Sequence, residues 1–462
     1  MLRFLISLRL LVLSVVLCMV AMVIAKPLAP ALLLGLGAAA AAAAAGPDRP
    51  VVLFVHFTTE SENLHMAYSR DGLQFTALNG PRTGQNRPPC PNCTTPVLTL
   101  PGCHAPGCPS LGPSVRDPFI DRAPDGRTFH VVATSGGFGP SRQIHHWNLT
   151  LDGGSPRWSN HSLLHVMAGV NTSGFVGTQA WAPEFMWDPG REEYLIFFSS
   201  TTRDSADDGL KWIWGVWTKD FDALSEPFVV FKQICDPGKD GKAPACGGKQ
   251  SIHPYPGWLP GHEGQDTIDG TMHRLSNGSV LLFFKDERGP VQRRNATTLL
   301  RKAVRQVLAR SGLNGYHTVC TFLGCHNESE FFDTAGVSGP RFPWNSTATT
   351  QSFDSPHMTE GPELLEFRTA WGEYLLYYDC FTTEYYGVSA SHSLEPGSFK
   401  PIPGSSCAAG GPNVRFPQAG TADNPRHGSF VAISEAELAV LLTAYKPSNH
   451  TNLKMGPHAA ND

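Results

Sequence analysis

The chain has 462 residues, a net charge of −4 and a charged fraction of 16%, below the roughly 25% usual for soluble domains. Its 46 glycines, 38 prolines and 10% aromatic residues exclude a coiled coil, a helical bundle or an acidic disordered chain, and favour short strands joined by tight turns. No basic stripe indicates a nucleic-acid partner.

The N-terminal segment has the pattern of a secretory signal peptide. Arg3 and Arg9 precede an uncharged apolar run over residues 10–25, a length typical of a signal-peptide core and short for a membrane span. We therefore predict a signal peptide over residues 1–25 and a low-complexity, Ala-rich linker over residues 26–49. An uncleaved signal anchor is the alternative, because the linker is itself largely apolar.

From residue 50 onward, short apolar or alternating segments are separated by turns rich in Asp, Asn, Gly and Pro. Neighbouring segments form predicted hairpins, with Asn277-Gly278 as a strong turn signal. The predicted strands are 51–57, 63–68, 73–78, 118–120, 128–134, 184–187, 193–199, 211–218, 269–275, 279–285, 362–368, 373–379, 385–391 and 429–433. This unit returns about every 60 to 90 residues, as in four-stranded propeller blades, and a β-sandwich is the alternative.

Two segments depart from the strand pattern. Residues 288–355 form a predicted insertion, in which residues 297–308 have apolar side chains at helical spacing and predict a surface helix. Near the C-terminus, Ser434 and Glu437 have the spacing of a capping box before an apolar run, which predicts the start of a second helix. Residues 446–462 are a predicted tail.

Cysteines and glycosylation sequons both indicate the secretory pathway. Ten of the 11 cysteines follow the leader in near pairs and predict disulfide-rich loops of undetermined connectivity; they are Cys90, Cys93, Cys103, Cys108, Cys235, Cys246, Cys320, Cys325, Cys380 and Cys407. A zinc site built from the first four is the alternative. Nine Asn-x-Ser/Thr sequons predict a glycoprotein; they are Asn92, Asn148, Asn160, Asn171, Asn277, Asn295, Asn327, Asn345 and Asn449.

Three acidic residues differ from the turn aspartates because each lies where a predicted strand begins: Asp117, Asp269 and Glu360. The innermost strands of a propeller face its axis, so acids that begin innermost strands of different blades converge. Such convergence suits hydrolysis of a glycosidic bond with inversion, in which one carboxyl protonates the leaving oxygen and another activates water. The proton donor needs a raised pKa, and a third acid fits that tuning role.

The order and spacing of five short motifs resemble glycoside hydrolase family 43. They are Val115-Arg116-Asp117-Pro118, Trp181-Ala182-Pro183-Glu184, Ile268-Asp269, Thr359-Glu360-Gly361-Pro362 and Arg426-His427-Gly428-Ser429. The resemblance covers about residues 51–442, apart from 88–109 and 288–355. It implies an all-β, five-bladed β-propeller over residues 50–445 with a helical insertion, in a secreted inverting enzyme. The implied substrates are oligo- or polysaccharides with arabinofuranosyl, xylosyl or galactosyl units.

The resemblance also implies roles for single residues. Asp117 would be the general base, Glu360 the general acid, and Asp269 the residue that tunes and orients the acid. The implied substrate-binding residues are Arg116, Trp181, Glu184 and His427. No cofactor is required, although His427 resembles a histidine that lies near a calcium ion in some members; a hydrogen-bonded core histidine is the alternative.

One departure from the family pattern concerns the tuning aspartate. Proline usually follows it, whereas Gly270 follows Asp269 here, and Asp266 lies close enough to compete for the role. A glycan-binding propeller without turnover and a structural surface protein are the alternatives to an enzyme. We expect a monomer with no nucleic-acid partner, and no membrane partner unless the leader remains uncleaved.

Overall fold

The computed structural model describes 21 segments of the chain, all within the second of its two compact units, residues 50–462. They are residues 50–58, 61–79, 81–82, 90–94, 96–100, 114–136, 141–159, 161–168, 179–201, 211–231, 267–274, 280–286, 303–309, 318–321, 324–327, 359–381, 385–394, 398–403, 405, 413–417 and 424–445. The predicted signal peptide, Ala-rich linker and tail lie outside them. No helix in the described segments is long and apolar enough to cross a membrane.

The described strands form short antiparallel sheets. The first sheet has the order β24–β1–β2–β3, with β1 (Val51–Thr58), β2 (His65–Ser69), β3 (Thr76–Ala77) and β24 (Pro425–Ile433). The second has the order β10–β8–β7–β6 with β9 beside β8, from β6 (Val115–Arg122), β7 (Thr128–Ser135), β8 (Ile144–Thr150), β9 (Arg157–Trp158) and β10 (Ser162–Leu164).

The remaining sheets follow chain order. The third consists of β11 (Trp181–Asp188), β12 (Glu193–Thr201), β13 (Lys211–Thr218) and β14 (Phe228–Phe231). The fourth consists of β15 (Thr267–Arg274), β16 (Val280–Asp286) and β17 (Ala303–Ala309). The fifth consists of β20 (Glu360–Glu366), β21 (Tyr374–Cys380), β22 (Tyr385–Ser391) and β23 (Lys400–Pro401). Two-stranded ribbons are formed by β4 (Pro81–Arg82) with β5 (Cys90–Thr94), and by β18 (Thr318–Thr321) with β19 (Gly324–Asn327).

One strand of each larger sheet contacts its counterparts in the two neighbouring sheets, so that β24, β6, β11, β15 and β20 close a ring. This is the arrangement of a β-propeller, as predicted. Among the described residues, four of these sheets have four or five strands, namely the first, second, third and fifth. The fourth sheet, which contains β15, has three. The prediction of five blades is therefore corrected to four complete blades and a three-stranded sheet.

Stacking of the sheets explains why β1 is apolar at six of its eight positions, all except His56 and Thr58. All eight of its residues are buried, and alternate side chains enter different cores. Leu53 belongs to a core with Trp147 of the second sheet, while Phe54 belongs to a core with Tyr377 of the fifth sheet. A strand covered on both faces needs apolar residues at every position rather than at alternate ones.

The predicted helix over residues 297–308 is wrong. Residues 303–309 form β17, which pairs antiparallel with β16 from Val280↔Ala309 to Asp286↔Ala303. The β-branched Val304 and Val307 favour a strand, and backbone pairing with β16 outweighs a helical spacing over so short a segment. The predicted insertion therefore begins inside the propeller, because β17 is the third strand of the fourth sheet.

The two ends of the described propeller meet in the first sheet, where β24 pairs antiparallel with β1. Helix α1 (Glu435–Ala444) follows and begins with the predicted capping box of Ser434 and Glu437. Leu438 and Leu441 of this helix are fully buried in the core between the first and second sheets. Burying each leucine contributes about 1.5–3 kcal/mol, so the helix fastens this closure of the ring.

Most of the cysteine prediction lies outside the described side chains. Cys380 is buried on β21 and is disulfide-bonded, whereas the other nine cysteines of the predicted set fall where no side chain is described. One such cysteine does not establish disulfide-rich loops, and the alternative zinc site is likewise untested. Both stay predictions.

Candidate functional site

Every strand of the inner ring has an irregular register near its N-terminal end. On β6, β11, β15 and β20 the irregularity coincides with a left-handed residue, and on β24 it lies at residues 426–429. The left-handed residues are Asp117 (φ 45°), Ala182 (φ 45°), Asp269 (φ 52°) and Gly361 (φ 52°). Bulges of this kind re-aim side chains, so one repeated backbone feature places residues of different strands at the same level of the ring.

A left-handed conformation costs a non-glycine residue about 1–3 kcal/mol and persists only when its surroundings impose it. Hydroxyl groups of the preceding sheet supply part of that restraint. The Ala182 N–H donates to Oγ1 of Thr134 at 2.8 Å, and the Asp269 N–H donates to Oγ of Ser199 at 3.0 Å. The strain is concentrated where the predicted catalytic residues lie.

The same geometry accounts for the glycine that follows Asp269. The bulge residues on β6, β11 and β20 are followed by proline, whereas Gly270 occupies this position on β15. A Cβ atom here would lie 3.2 Å from Leu282 and 3.3 Å from Ile213, so space is tight. The bulge forms without proline and Asp269 occupies the axial position; Asp266 lies outside the described residues.

Asp117 is held as a carboxylate. Its Oδ2 accepts a hydrogen bond from Oγ1 of Thr134 at 2.8 Å, and its Oδ1 lies 3.3 Å from Nδ1 of His427. Burial favours the neutral acid, but His427, Arg116 and Thr134 outweigh it and lower the pKa of Asp117 to about 2. The group is ionised at neutral pH, as a general base must be.

His427 is a buried cation among carboxylates. Burial opposes its protonation, but Asp269, Asp117 and Glu360 raise the pKa of the imidazole to about 10. Gly361 permits this position, because a Cβ atom there would lie 2.3 Å from Cδ2 of His427. The histidine predicted as a substrate-side or metal-side residue is therefore part of the charge balance of the site.

Glu360 lies between two cations. Its Oε2 is 2.6 Å from Nζ of Lys285, and its Oε1 accepts from Nη2 of Arg426 at 2.8 Å. Burial favours the protonated form, but Lys285 and Arg426 outweigh it and hold the pKa of Glu360 below its usual value. In this arrangement the predicted general acid is a carboxylate.

Asp269 has the opposite tendency. Burial raises the pKa of its carboxyl to about 6, although His427 and Lys285 lower it. Its Oδ2 lies 3.4 Å from the Gly361 N–H, which places it against the strand of Glu360. Among the three predicted acids, Asp269 is therefore the one that most readily holds a proton.

A second pair of acids lies further along two inner strands. Burial is the main cause that raises the pKa of Glu184 well above its usual value, and the neighbouring Glu363 adds to it. Burial also raises the pKa of Glu363 to about 8. The two carboxyls hydrogen-bond to each other, which requires that at least one of them is protonated. Glu184, predicted as a substrate-binding residue, is thus buried against Glu363.

The other predicted substrate-binding residues lie on the inner strands. Trp181 is half-buried, and Nζ of Lys211 lies 5.6 Å from the centroid of its ring. Arg116 is bound to Glu62 at 3.0 Å and lies over the ring of Phe57. The structure thus brings Asp117, Asp269, Glu360 and His427 into mutual electrostatic contact, with Arg116 beside Asp117.

Three functional side chains had no role in the sequence-based prediction: Lys285, Asp379 and Arg426. The sequence does contain a signal for two of them, because Lys285 ends the apolar run Leu281-Leu282-Phe283-Phe284 and Asp379 ends Leu375-Leu376-Tyr377-Tyr378. Charged residues in buried strands are rare unless paired. Their partners are 47 to 75 residues away in sequence, so only the fold identifies them.

Together these groups combine two protonation states in one buried site. Asp117 is ionised, and the pKa of Asp269 is raised to about 6. The pKa of Glu360 is held below its usual value by Lys285 and Arg426. Acid–base hydrolysis of an acetal needs one carboxylate and one carboxylic acid in the same pocket. The arrangement can supply both.

Comparisons with known proteins give one family match and several similar solved structures. Residues 109–439, more than half of the chain, match the family model for a probable glycosyl hydrolase domain. Similar solved structures include a thermostable family-43 glycoside hydrolase (12% identity, TM-score 0.36, 69% of this chain and 89% of that chain). Others are the family-93 α-L-arabinofuranosidase of Fusarium graminearum with arabinobiose (12%, 0.39, 80% and 86%) and a Cellvibrio cellulosa α-L-arabinanase with arabinohexaose (14%, 0.33, 65% and 78%). No curated protein matches the chain significantly.

Proposed function

The chain belongs to the family of probable glycosyl hydrolases related to glycoside hydrolase family 43, and on this premise we propose that it hydrolyses glycosidic bonds with inversion. The observation that carries the proposal is the meeting of Asp117, Asp269 and Glu360, from three different sheets, around the cationic His427. A glycan-binding protein or a structural protein would not require three strained or ion-paired acids at one level of the ring.

In the proposed reaction, Asp117 accepts a proton from the water that attacks the anomeric carbon. Glu360 donates a proton to the leaving oxygen, and the bond from that oxygen to the anomeric carbon breaks. Asp269 lies against the strand of Glu360 and tunes its protonation. Catalytic contacts often tighten only when substrate is present, so a sugar hydroxyl that competes for Lys285 or Arg426 would let Glu360 take up its proton.

Asp269 is the second candidate for the acid, because its carboxyl already has a pKa of about 6. Leaving-group dependence separates the two assignments. A variant that lacks the acid is expected to lose activity on sugars with alcohol leaving groups but to retain it on dinitrophenyl glycosides, whose leaving group needs no proton. We expect this pattern for Glu360→Gln; finding it only for Asp269→Asn would transfer the role.

The proposed substrates are oligo- or polysaccharides with arabinofuranosyl, xylosyl or galactosyl units. Trp181 offers a half-buried indole face for a sugar ring, and Lys211 above it offers a hydrogen-bond donor. Arg116 lies at the same end of the inner ring, where it is bound to Glu62 and its charge lowers the pKa of Asp117.

A calcium ion near His427 fits these residues poorly. Protonated imidazole has no free lone pair for a ligand or a bridging water, and Nδ1 of His427 faces Asp117. Among the described residues, no three His, Cys, Asp or Glu side chains are arranged to hold a metal ion. The proposed reaction therefore has no step that passes through a metal.

We further propose that the protein acts in the secretory pathway lumen, at the cell surface or outside the cell, as a glycosylated monomer. The proposal rests on the predicted leader over residues 1–25, the nine sequons and the even number of cysteines after the leader. A membrane association would require that the leader remain uncleaved.

The decisive test is a screen of the purified protein against aryl arabinofuranosides, xylosides and galactosides and the matching polysaccharides. NMR of the first-formed anomer decides between inversion and retention. Asp117→Ala is expected to lose most turnover on every substrate, and Glu360→Gln to lose it on substrates with alcohol leaving groups, while binding of the sugar persists. Normal turnover by both variants would refute the assignment, and glycan binding without any turnover by the unaltered protein would favour the lectin-like alternative.

A further inference from the structure

Asp379 is a buried carboxylate at the end of β21 that belongs to none of the sequence motifs. Its Oδ2 accepts two hydrogen bonds, from Nε of Arg426 at 2.6 Å and from the backbone N–H of His427 at 3.2 Å. Its side chain is fully buried. A buried carboxylate is expensive unless charges and donors satisfy it, so this position has a specific task.

Arg426 connects Asp379 to the site. Its guanidinium binds Asp379 through Nε and Glu360 through Nη2 at 2.8 Å. A planar guanidinium with one edge fixed presents its remaining N–H groups in a defined direction. The orientation of the donor that reaches Glu360 is therefore set by Asp379.

The sheet itself makes this bridge necessary. Glu360 and Asp379 are direct partners in the antiparallel register of β20 and β21. Like charges at directly opposite positions repel each other, and Arg426 from β24 separates them by binding both. The other charged groups around Glu360 are Lys285 on β16, His427 on β24 and Asp269 on β15.

We propose that Asp379 is a positioning residue that acts on Glu360 through Arg426, fixing the guanidinium so that Glu360 is both oriented and able to exchange its proton. This inference rests on the proposed function, in which Glu360 delivers the proton to the leaving oxygen. In that reaction Asp379 is not a catalytic residue. It acts on Glu360 through Arg426, and its own charge repels the opposite Glu360 across the β20–β21 register.

The test is Asp379→Asn, which keeps the shape of the side chain and removes its charge. We expect kcat to fall about 10- to 100-fold, since a misplaced catalytic group costs about that much, with KM changed less than about threefold. In this variant Arg426 no longer faces the Asp379 charge and has only Glu360 as an anionic partner. Its positive charge then favours the Glu360 carboxylate more strongly, so the pKa of Glu360 falls. The alkaline limb of the kcat profile should move to lower pH by about one unit.

Asp188→Asn is the matched control. Asp188 is also buried, with an arginine partner, Arg274, 3.4 Å away, but it lies at the far end of β11 from the bulge. Removing its charge disturbs a comparable buried pair and should leave kcat and the pH profile unchanged. Thermal unfolding of both variants separates a loss of stability from a loss of positioning.

A second variant keeps the inference testable if Asp379→Asn does not fold. Arg426→Lys retains a cation but cannot bind both carboxylates as a fork, and it should also lower kcat and displace the alkaline limb. If Asp379→Asn or Arg426→Lys folds and retains the wild-type kcat and pH profile, the inference is wrong. If Glu360→Gln is fully active on all substrates, the proposed function fails instead, whatever Asp379 does.

Discussion

Replacing Lys285 by methionine tests the charge balance around Glu360. Nζ of Lys285 lies 2.6 Å from Oε2 of Glu360, its side chain is 3% exposed, and it packs over the ring of Phe381 at 4.6 Å. Methionine fills similar apolar volume without the charge, and a thioether packs well against an aromatic ring. The substitution should therefore change the electrostatics of the site more than its packing.

The expected shift follows from the contact. An opposite charge at this distance lowers the pKa of a carboxyl by ~1–3 units, equivalent to ~1.4–4 kcal/mol, so its removal raises the pKa of Glu360 by a similar amount. A general acid works below its pKa and fails above it. The alkaline limb of the kcat/KM profile should accordingly move upward by about 1–3 pH units in Lys285→Met.

The assay is kcat/KM across both limbs on a sugar with an alcohol leaving group, which needs a proton, with exposed Lys400 on β23 replaced by methionine as the control. An alkaline limb that stays in place or moves to lower pH in Lys285→Met would refute the argument that Lys285 holds the acid ionised. Lys285 also lowers the pKa of Asp269. The pH shift therefore tests the effect of the Lys285 charge on both acids, and the leaving-group experiment identifies which of them donates the proton.

Three further predictions concern the base, the bulge and stability. Asp117→Ala should reduce turnover by about 10²–10⁴-fold, because water loses its proton acceptor, with azide as an added nucleophile partly restoring the rate. Gly361→Ala should lower both kcat and the melting temperature, since its Cβ would lie 2.3 Å from the ring of His427 at φ 52°. Burial holds the pKa of His145 at about 4 and that of His146 at about 3, so the unfolded chain binds more protons than the folded one below about pH 6.5. Stability should fall by roughly 2 kcal/mol per histidine on going to about pH 5, and less in His145→Gln/His146→Gln, as measured by denaturant unfolding.

A specific result would contradict each of these three predictions. Azide that leaves Asp117→Ala inactive while another acid variant recovers would reassign the base. Gly361→Ala with native kcat would show that the histidine ring can move. A double histidine variant with the wild-type pH dependence would place the acid-sensitive groups elsewhere in the protein.

The sequence predicted what is local in this fold. Hairpins such as β15–β16 follow from alternation and turn residues, and the capping box of α1 follows from two side chains three residues apart. The same local reasoning failed for β17, because its conformation depends on pairing with β16, a strand that lies outside the segment in which the spacing was read. Helical spacing of apolar residues does not distinguish a short helix from a strand that completes a sheet.

For the site, sequence reasoning found the three acids and His427, but it assigned no role to Lys285, Arg426 or Asp379. Asp117 and Glu360 lie in motifs at the beginnings of strands, whereas Lys285 and Asp379 end buried strands of the apolar interior. The apolar run before each of the latter two signals a buried charge, but no local pattern identifies the partner of that charge. The protonation state of Glu360 was unpredictable for the same reason, since it depends on contacts between three sheets.

The balance of charges suggests why the site can run acid–base chemistry at neutral pH. Burial raises the pKa values of Glu184 and Glu363 so that this pair retains protons of its own. Apart from that pair, four carboxyls (Asp117, Asp269, Glu360 and Asp379) surround the cations His427, Lys285 and Arg426 in the described part of the site. Arg116 is already bound to Glu62 and adds no net charge. Buried charges are tolerated only when compensated, so one carboxyl in excess favours one retained proton. Inversion needs one carboxylic acid beside one carboxylate, and a cluster short of one cation keeps that proton in the site.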